Sequence, residues 1–249
     1  MSANLEIQKE WFDEWFDTTY YHILYSNRDE REAEVFLSNL SAYLNMKPGS
    51  SVLDLPCGKG RHAVYLNQKG FNVEGADLSE NSIIEANKSK TDDLSFRVHD
   101  IRKPYPLANF DYVFNLFTSF GYFDDEGENK QAFATLVSAM APDATLVIDF
   151  MNTHKVIKNM RAVETKTVDG IDFHLKRAVK NGFIVKDISF SDKGKSFEYS
   201  ERVKELYSTD FSSYIRAFGL KVVAEFGNYN LSPFEAETSD RYIVIATKA

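Results

Sequence analysis

One segment constrains the fold more than any other: Val52-Leu-Asp-Leu-Pro-Cys-Gly-Lys-Gly-Arg-His-Ala63. An apolar strand runs into a tight turn with two glycines and continues as a helix. Glycine lets the backbone pass close to a ligand because it has no Cβ. The first turn of a helix also has N–H groups without a partner in the helix. The segment therefore predicts a turn that holds a ligand at the start of a helix.

Strand and helix patterns alternate along most of the chain, which predicts a parallel sheet with helices on both faces. The predicted strands are 51–55, 71–76, 94–98, 110–114, 145–150, 221–226 and 241–247. The predicted helices that follow the first strand are 60–69, 80–88, 129–140 and 209–218. The last two strands flank a single loop, which suits a terminal antiparallel pair. The prediction is an α/β fold with a seven-stranded, mostly parallel sheet and a terminal antiparallel strand.

Two helices are predicted before this sheet. Residues 5–18 have the spacing of an amphipathic helix with an aromatic face, which either packs on the core or forms a lid over a ligand. Ser26 or Asn27 can cap a second helix, which ends near Lys47-Pro-Gly49. Its predicted buried residues are Ala33, Phe36, Leu37, Leu40 and Leu44.

The pattern changes over residues 160–206. Four β-rich runs are separated by the hairpin signals Asp169-Gly170, Asn181-Gly182 and Lys193-Gly194. They predict an antiparallel meander inserted into the α/β domain, which comprises residues 1–159 and 207–249. The predicted buried face of the meander includes Phe173, Leu175, Ala178, Ile184 and Ile188. This subdomain could cover a pocket or pair with another subunit, so a homodimer is left open.

Composition excludes several classes of function. The net charge of -8 argues against a nucleic-acid partner, because phosphate binding depends on clustered Lys and Arg. A single cysteine, Cys57, and five histidines without ligand spacing predict no disulfide and no metal site. No apolar run is long enough to cross a membrane and no leader pattern is present, so a cytoplasmic location is expected.

The glycine turn has two interpretations. Gly58-x-Gly60-x-x-Ala63, with Asp77 after the next strand, fits a dinucleotide-binding fingerprint. Asp54 at the end of the first strand would repel a pyrophosphate but attract an ammonium group. A further carboxylate after the third strand, Asp100, is placed for the exocyclic amine of adenine. These features favour a nucleoside ligand that carries an ammonium group over a nicotinamide dinucleotide.

The same residues resemble the first motif of the class I S-adenosylmethionine-dependent methyltransferase family, with Pro56 at the first glycine position. The resemblance covers residues 20–150 and 208–247 and implies a Rossmann-like fold with S-adenosylmethionine as cofactor. It implies that Asp77 holds the ribose and that Asp54 and the Gly58–Gly60 backbone hold the methionine end. Asp100 and Ile101 would frame the adenine. The other cofactor-binding residues expected are Pro56, Leu78, Asn115, Leu116 and Ser119.

The acceptor side resembles that of sugar-amine N-methyltransferases. In the loop Asn115–Phe123, Tyr122 stands where that group has a histidine near the reacting amine. Tyr122 is the candidate catalytic residue, which could orient an acceptor, act as a weak acid or base, or only cover the pocket. By the same resemblance, Tyr21 and Arg28 of an N-terminal lid would contact the cofactor.

The expected function is methyl transfer to nitrogen or oxygen of a small-molecule acceptor. Asn115 is followed by Leu-Phe-Thr rather than Pro-Pro and an aromatic residue, which disfavours a nucleobase amine as acceptor. Two alternatives remain open. One is a non-catalytic module that binds the cofactor, and the other, less favoured, is a nicotinamide-dependent dehydrogenase.

Overall fold

The computed structural model describes residues 11–26 and 30–249. The helices in these ranges are α1 (Trp11–Trp15), α2 (Thr19–Leu24), α3 (Glu30–Tyr43), α4 (Arg61–Gln68), α5 (Glu80–Ala86), α6 (Glu126–Ala139), α7 (Thr153–Lys158) and α8 (Ser208–Ala217). The strands up to the insertion are β1 (Ser51–Asp54), β2 (Asn72–Asp77), β3 (Leu94–Val98), β4 (Phe110–Asn115) and β5 (Met140–Met151). The later strands are β6 (Val163–Val168), β7 (Ile171–Lys180), β8 (Phe183–Asp192), β9 (Lys195–Lys204), β10 (Leu220–Phe226) and β11 (Arg241–Lys248).

Seven strands form one sheet in the order β10-β11-β5-β4-β1-β2-β3. β1 is parallel to β2 and β4, and the parallel pairing continues to β3 on one side and to β5 on the other. β11 is antiparallel to both of its neighbours, β5 and β10. The predicted α/β fold, with a mostly parallel sheet and a terminal antiparallel strand, is confirmed.

Helices bury both faces of this sheet, as expected for parallel strands. In β1, Leu53 belongs to the core cluster that includes side chains of α6 and α8. Its neighbour Val52 belongs to the cluster on the opposite face, with side chains of α3 and α4. Because β1 lies between β2 and β4 and is parallel to both, the carboxyl ends of these three strands lie side by side. This is the edge of an open α/β sheet at which ligands bind.

Within the described residues, the helix predicted over residues 5–18 ends at Trp15, and a further helix, α2, that the sequence did not predict begins at Thr19. α1 ends at Trp15, and Thr18 caps α2 because its hydroxyl accepts a hydrogen bond from the Tyr21 N–H at 3.1 Å. Residues 5–10 lie outside the described part of the chain. The capping side chain of Thr18 thus explains why a new helix starts at Thr19.

Two other helix predictions need correction. α6 begins at Glu126 rather than Asn129, because the Asp125 carboxylate accepts a hydrogen bond from the Gly127 N–H at 2.7 Å and caps the helix there. α7 was not predicted at all. α3 agrees better with its prediction: its residues Ala33, Phe36, Leu37 and Leu40 are buried, and the following Leu44 is partly buried. Of the two predicted caps of α3, Asn27 lies outside the described residues.

The strands of the insertion form a separate antiparallel sheet in the order β6-β7-β8-β9. In each of its three hairpin turns, Asp169-Gly170, Asn181-Gly182 and Lys193-Gly194, both residues have positive φ. Two consecutive positive φ angles are characteristic of type I′ turns, whose twist matches that of the flanking strands. The predicted meander is therefore confirmed.

One side of this second sheet, here called the inner face, packs on the N-terminal helices. Its Phe173, Leu175, Ile188 and Phe190 share a core cluster with Trp15 of α1 and Leu24 of α2. Ala178 was predicted on this face, but strand alternation turns it to the other side and places Arg177 on the inner face. α1, α2 and the inserted sheet are thus packed together.

Candidate functional site

A cavity of 1480 Å³ opens at the carboxyl ends of β1, β2 and β4. It is lined by α1 and α2, by the turn after β1, by the loops after β2, β3 and β4, and by the inserted sheet. A pocket for one small molecule usually measures roughly 300–1000 Å³. The cavity is therefore large enough for a cofactor and a second ligand together.

The two glycines of the turn after β1 have different roles. Gly58 lines the cavity and has φ of +54°, and a Cβ built there meets no atom within 4 Å. Gly60 has φ of +82°, and its Cβ would lie 2.6 Å from the Phe96 ring. Both positions need a left-handed backbone, which favours glycine. Only Gly58 faces the cavity, whereas Gly60 allows the start of α4 to pack against Phe96.

Asp54, at the end of β1, is fully buried, and neither of its carboxylate oxygens has a hydrogen-bond partner among the described residues. Burial and the nearby Asp77 raise the pKa of Asp54 to about 8. The His62 Nδ1 lies 4.0 Å away, but burial lowers the pKa of His62 to about 3, so this imidazole is neutral at pH 7. An unpaired buried carboxylate beside a ligand cavity is suited to a cationic ligand group.

Asp77, at the end of β2, lines the cavity with its carboxylate held in a fixed orientation. Its Oδ2 accepts from the Gly58 N–H at 2.8 Å and its Oδ1 from the Ser79 N–H at 2.9 Å. Burial raises the pKa of Asp77, although these backbone hydrogen bonds oppose the shift. Each carboxylate oxygen has a second lone pair that can accept a hydroxyl.

Asp100, after β3, also lines the cavity, but its carboxylate already has a partner. Arg102 donates to it from Nε at 3.0 Å and from Nη2 at 2.9 Å. Burial opposes ionisation of Asp100, but the hydrogen bonds from Arg102 outweigh burial and keep the pKa below its usual value. A ligand amine at this position would share an ionised carboxylate with Arg102.

The loop after β4 is held by a buried ion pair that the sequence analysis did not identify. Asp149 is fully buried, and its carboxylate accepts from the Arg241 Nε at 2.7 Å and from the Phe117 N–H at 2.9 Å. Arg241 also donates to the Thr118 hydroxyl at 3.0 Å. Phe117 and Thr118 have φ of +61° and +63°, so the pair stabilises an unusual backbone conformation beside the cavity.

Asn115 connects this loop to the end of β1. Its side chain is fully buried and donates to the Leu55 carbonyl at 2.9 Å and to the Ser119 carbonyl at 3.2 Å. Leu116 and Ser119 line the cavity, whereas Asn115 does not. The structure thus gives Asn115 a position behind the cavity wall, where it orients residues that line it.

Tyr122 lies on the cavity wall, with its hydroxyl donating to the Thr118 carbonyl at 2.5 Å. Its ring packs edge-on against Trp11 and tilted against Phe16, with centroid distances of 5.4 and 5.5 Å. Phe16 in turn contacts Tyr21 at 5.0 Å. We refer to Trp11, Phe16, Tyr21 and Tyr122 as the aromatic wall, which combines the N-terminal helices with the loop after β4.

The cavity gathers most of the residues that the sequence predicted for the cofactor. Those that line it are Tyr21, Pro56, Gly58, Asp77, Leu78, Asp100, Ile101, Leu116 and Ser119. Asp54, Gly60 and Asn115 lie behind its surface, and Arg28 lies outside the described residues. The sequence analysis allowed that the inserted sheet could cover a pocket but did not identify the residues that it contributes, which include Arg177, Lys186 and Glu201. These three residues are separated in sequence and become neighbours only through the pairing of β7, β8 and β9.

Comparison with known proteins identifies the class of this domain. Residues 52–143 match the family described as "Methyltransferase domain". A putative methyltransferase from Geobacillus sp. (strain WCH70) is 31% identical over 42% of this chain, and the match spans 44% of that protein. The glycine/sarcosine N-methyltransferase of Parasynechococcus marenigrum (strain WH8102) is 25% identical over 97% of this chain and 85% of its own.

A solved structure supports the fold. A sugar N-methyltransferase from Streptoalloteichus sp. ATCC 53650 superposes with a TM-score of 0.72 and covers 92% of both chains at 18% identity. A parallel sheet of this strand order, with a glycine turn after its first strand and a carboxylate after its second, defines a nucleoside-cofactor-binding domain. Residues 52–143, which include the glycine turn, are thus similar to methyltransferases, and these matches support the resemblance to the class I S-adenosylmethionine-dependent family.

Within the described ranges, the structure offers no sign of two other site types. No helix there is long and apolar enough to cross a membrane. No group of three or more His, Cys, Asp and Glu side chains there could hold a metal ion.

Proposed function

We propose that this protein transfers the methyl group of S-adenosylmethionine to an amine nitrogen of a small molecule. The observation that carries the proposal is the unpaired, fully buried carboxylate of Asp54 behind a glycine turn that faces a large cavity. With a neutral or anionic ligand, Asp54 would stay protonated, whereas the amino group of the cofactor provides the counter-charge that allows it to ionise.

The proposed cofactor site follows the order of the strands. Asp54 is the counter-charge for the ammonium of the methionine part, and the backbone around Gly58 and Pro56 forms the surface beside it. Asp77 accepts the two ribose hydroxyls. Leu78, Asp100 and Ile101 surround the adenine, while Leu116 and Ser119 cover the ligand from the loop after β4. Tyr21 closes the site from the N-terminal helices.

The position of Tyr122 favours nitrogen over oxygen as the methyl acceptor. A hydroxyl acceptor needs a group that removes its proton, but a neutral amine already has a free lone pair. The Tyr122 hydroxyl donates its hydrogen to the Thr118 carbonyl, which holds the side chain in the cavity wall. We therefore assign Tyr122 to the orientation of the acceptor within the aromatic wall rather than to proton removal.

The cofactor supplies an already activated methyl group, so the task of the protein is alignment and exclusion of water. The aromatic wall provides both, because its rings contact one another and cover the cavity from the N-terminal helices. Aromatic faces also attract cations, including positively charged sulfur and nitrogen centres. The acceptor nitrogen would approach through the part of the cavity between this wall and the inserted sheet.

The inserted sheet serves in this proposal as part of a lid. Its inner face is covered by α1 and α2 within the same chain, which leaves that face unavailable to another subunit. The domain division proposed is a methyltransferase domain of residues 1–159 and 207–249 and an inserted subdomain of residues 160–206. The relatives named N-methyltransferases support the choice of nitrogen.

Two measurements test the proposed function. Calorimetric titration with S-adenosylhomocysteine and with NAD should show binding of the first only, and Asp77→Ala should weaken it about tenfold or more. A screen of paired amine and hydroxyl acceptors, with methyl transfer as readout, should give products only from amines. Binding without any turnover would indicate a non-catalytic module, and binding of NAD instead would indicate a dehydrogenase.

A further inference from the structure

On the inner face of the inserted sheet, β7, β8 and β9 carry a row of three charged residues between two uncharged rows, and Glu164 and Lys166 of β6 lie on the same face. Arg177 on β7 is directly opposite Lys186 on β8, which is directly opposite Glu201 on β9. The neighbouring row on one side is Leu175, Ile188 and Tyr199, and the row on the other side is Val179, Ile184 and Val203. All members of this charged row line the cavity.

Glu201 has a structural explanation, because it joins the inserted sheet to the N-terminal helices. Its carboxylate accepts from the Trp15 Nε1 at 2.7 Å, from the Tyr25 hydroxyl at 2.6 Å and from the Lys186 Nζ at 2.7 Å. These hydrogen bonds keep the pKa of Glu201 below its usual value although burial opposes ionisation. The acidic end of the charged row is therefore fully satisfied.

At the basic end of the row, Arg177 and Lys186 have N–H groups that can still donate hydrogen bonds. Arg177 contacts the Glu164 carboxylate at 2.8 Å through Nη1, and among the described residues its Nε and Nη2 have no partner. Lys186 donates to Tyr25 and to Glu201, which leaves one of its three N–H groups without a described partner. Arg177 is 22% exposed and Lys186 21% exposed, so both are largely desolvated on the cavity side.

Glu164 and the Arg161 carbonyl at 3.5 Å both contact the Arg177 Nη1, so its Nε and Nη2 can still donate to a ligand in the cavity. Arg177 makes no hydrogen bond with α1 or α2, so packing of the lid does not explain it. We propose that Arg177 and Lys186 bind an anionic group of the methyl acceptor, a carboxylate or a phosphate; this inference rests on the proposed methyltransferase function. The planar guanidinium matches either group through two parallel hydrogen bonds.

Aromatic contacts connect the proposed anion site to the aromatic wall. The Lys186 Nζ lies 4.9 Å from the centroid of the Tyr25 ring. The Tyr25 ring contacts the ring of Tyr21, a member of the aromatic wall, at a centroid distance of 4.9 Å. An acceptor with an amine at one end and an anionic group at the other would lie along these rings. The anion fixes its direction, so that the amine points to the cofactor.

The test compares acceptors that differ only in the anionic group. One pair is an amine with a carboxylate and the corresponding amide, and the other is an amine with a phosphate and the corresponding alcohol. The native protein should methylate one anionic acceptor with kcat/KM at least about tenfold above its neutral partner. The preferred pair identifies the anion as carboxylate or phosphate.

Three variants assign the preference to Arg177. Arg177→Gln should bring the ratio of anionic to neutral acceptor close to one while affinity for S-adenosylhomocysteine stays within about threefold. Glu164→Gln should lower KM for the anionic acceptor, because it releases Arg177 from its ion pair. Lys176→Gln is the matched control, since Lys176 directly precedes Arg177 on β7 and is exposed on the opposite face.

Each outcome separates this inference from the proposed function. Equal methylation of anionic and neutral acceptors by the native protein, or an unchanged ratio in Arg177→Gln, would overturn the inference but leave a methyltransferase. Absence of methylation of every acceptor by the native protein would instead contradict the proposed function. Binding of S-adenosylhomocysteine by Arg177→Gln, together with its circular dichroism spectrum, establishes that the variant folds.

Discussion

At the scale of single residues, Asp54, the proposed counter-charge for a cation, lowers the stability of the folded protein because it is buried without a partner. A carboxylate with an ordinary pKa of 3.8 is held where burial and Asp77 raise the pKa to about 8. Between about pH 4 and pH 8 the folded protein keeps a proton on Asp54 that the unfolded chain has released. The free energy of unfolding therefore falls as pH rises through this window, by about 1.4 kcal/mol per pH unit for this one group.

The variant Asp54→Asn tests this account because it keeps the shape but removes the charge. Without ligand, Asp54→Asn should be more stable than the native protein at pH 8, and the difference should shrink as pH falls towards 4. Affinity for S-adenosylhomocysteine should rise with pH from 6 to 8 in the native protein, because binding a cation releases the proton from Asp54. This rise should vanish in the variant. Thermal denaturation and calorimetry at several pH values measure both effects, and parallel pH profiles for the two proteins would contradict the account.

The two turn glycines give a second test at this scale. Gly58→Ala should fold but bind S-adenosylhomocysteine at least about tenfold more weakly, because the added methyl group projects into the cavity. Gly60→Ala should destabilise the fold by more than the roughly 1–2 kcal/mol of a left-handed alanine, since its Cβ also collides with Phe96. Chemical denaturation and titration calorimetry on both variants distinguish the roles. Equal loss of stability and of binding in the two variants would show that the glycines are not specialised.

At the scale of elements, the N-terminal helices contact the cofactor edge of the large sheet through one turn. Asp17, between α1 and α2, accepts from the Ser79 hydroxyl at 2.6 Å and from the Asn81 side-chain amide at 2.6 Å. Ser79 also caps α5 and donates its N–H to Asp77, the residue assigned to the ribose. The contact joins the lid to the strand end that would hold the ligand.

Asp17→Ala should therefore loosen the lid. We expect the dissociation rate of S-adenosylhomocysteine to increase about tenfold, while the free energy of unfolding changes by less than about 1 kcal/mol because exposed polar contacts contribute little. Stopped-flow displacement measures the rate, and Asp92→Ala, an exposed carboxylate remote from the lid, is the control. A dissociation rate equal to that of the native protein would show that this contact does not retain the ligand.

The elements also show which parts of the structure a single sequence can predict. β1, the glycine turn and α4 were predicted because each depends on neighbouring residues: an apolar run, two glycines and a helix pattern. The hairpins of the insertion were predicted for the same reason, since type I′ turns need particular residue pairs. α2, which follows its cap Thr18, and the early start of α6 at Glu126 were not predicted, because a capping side chain overrides hydrophobic periodicity.

Residues that depend on distant partners were not predictable. Asp149 lies in an apolar strand, and its partner Arg241 comes from the last strand of the chain. The charged row needs the register of two hairpins before its members become neighbours. Asp77 and Asp100, by contrast, were found because parallel-strand logic places the ends of successive strands at one edge. Local motifs thus predicted the proposed cofactor side of the cavity, while the acceptor side needed tertiary structure.

At the scale of the whole molecule, the chain consists of a seven-stranded sheet and an inserted sheet, with the N-terminal helices packed on the latter. Trp15 and Leu24 are at most 2% exposed and belong to the cluster of the inserted sheet. Trp11 and Tyr21 of the aromatic wall lie on these same helices, and Phe16 lies between them. Packing within the inserted sheet should therefore control the acceptor side of the cavity more than the cofactor side.

Ile188→Ala tests this coupling, because Ile188 is 1% exposed within that cluster and its truncation should cost about 2–5 kcal/mol locally. Hydrogen exchange should speed up in α1, α2 and β7–β9 and remain unchanged in β1, β4 and β5. The kcat/KM for the acceptor should fall more than the affinity for S-adenosylhomocysteine, and size-exclusion elution should not change. Val163→Ala, at a side chain 70% exposed on β6, is the control. Faster exchange throughout both sheets would contradict the proposed division at residues 160–206, and a shift in elution would indicate that the inserted sheet forms a subunit interface.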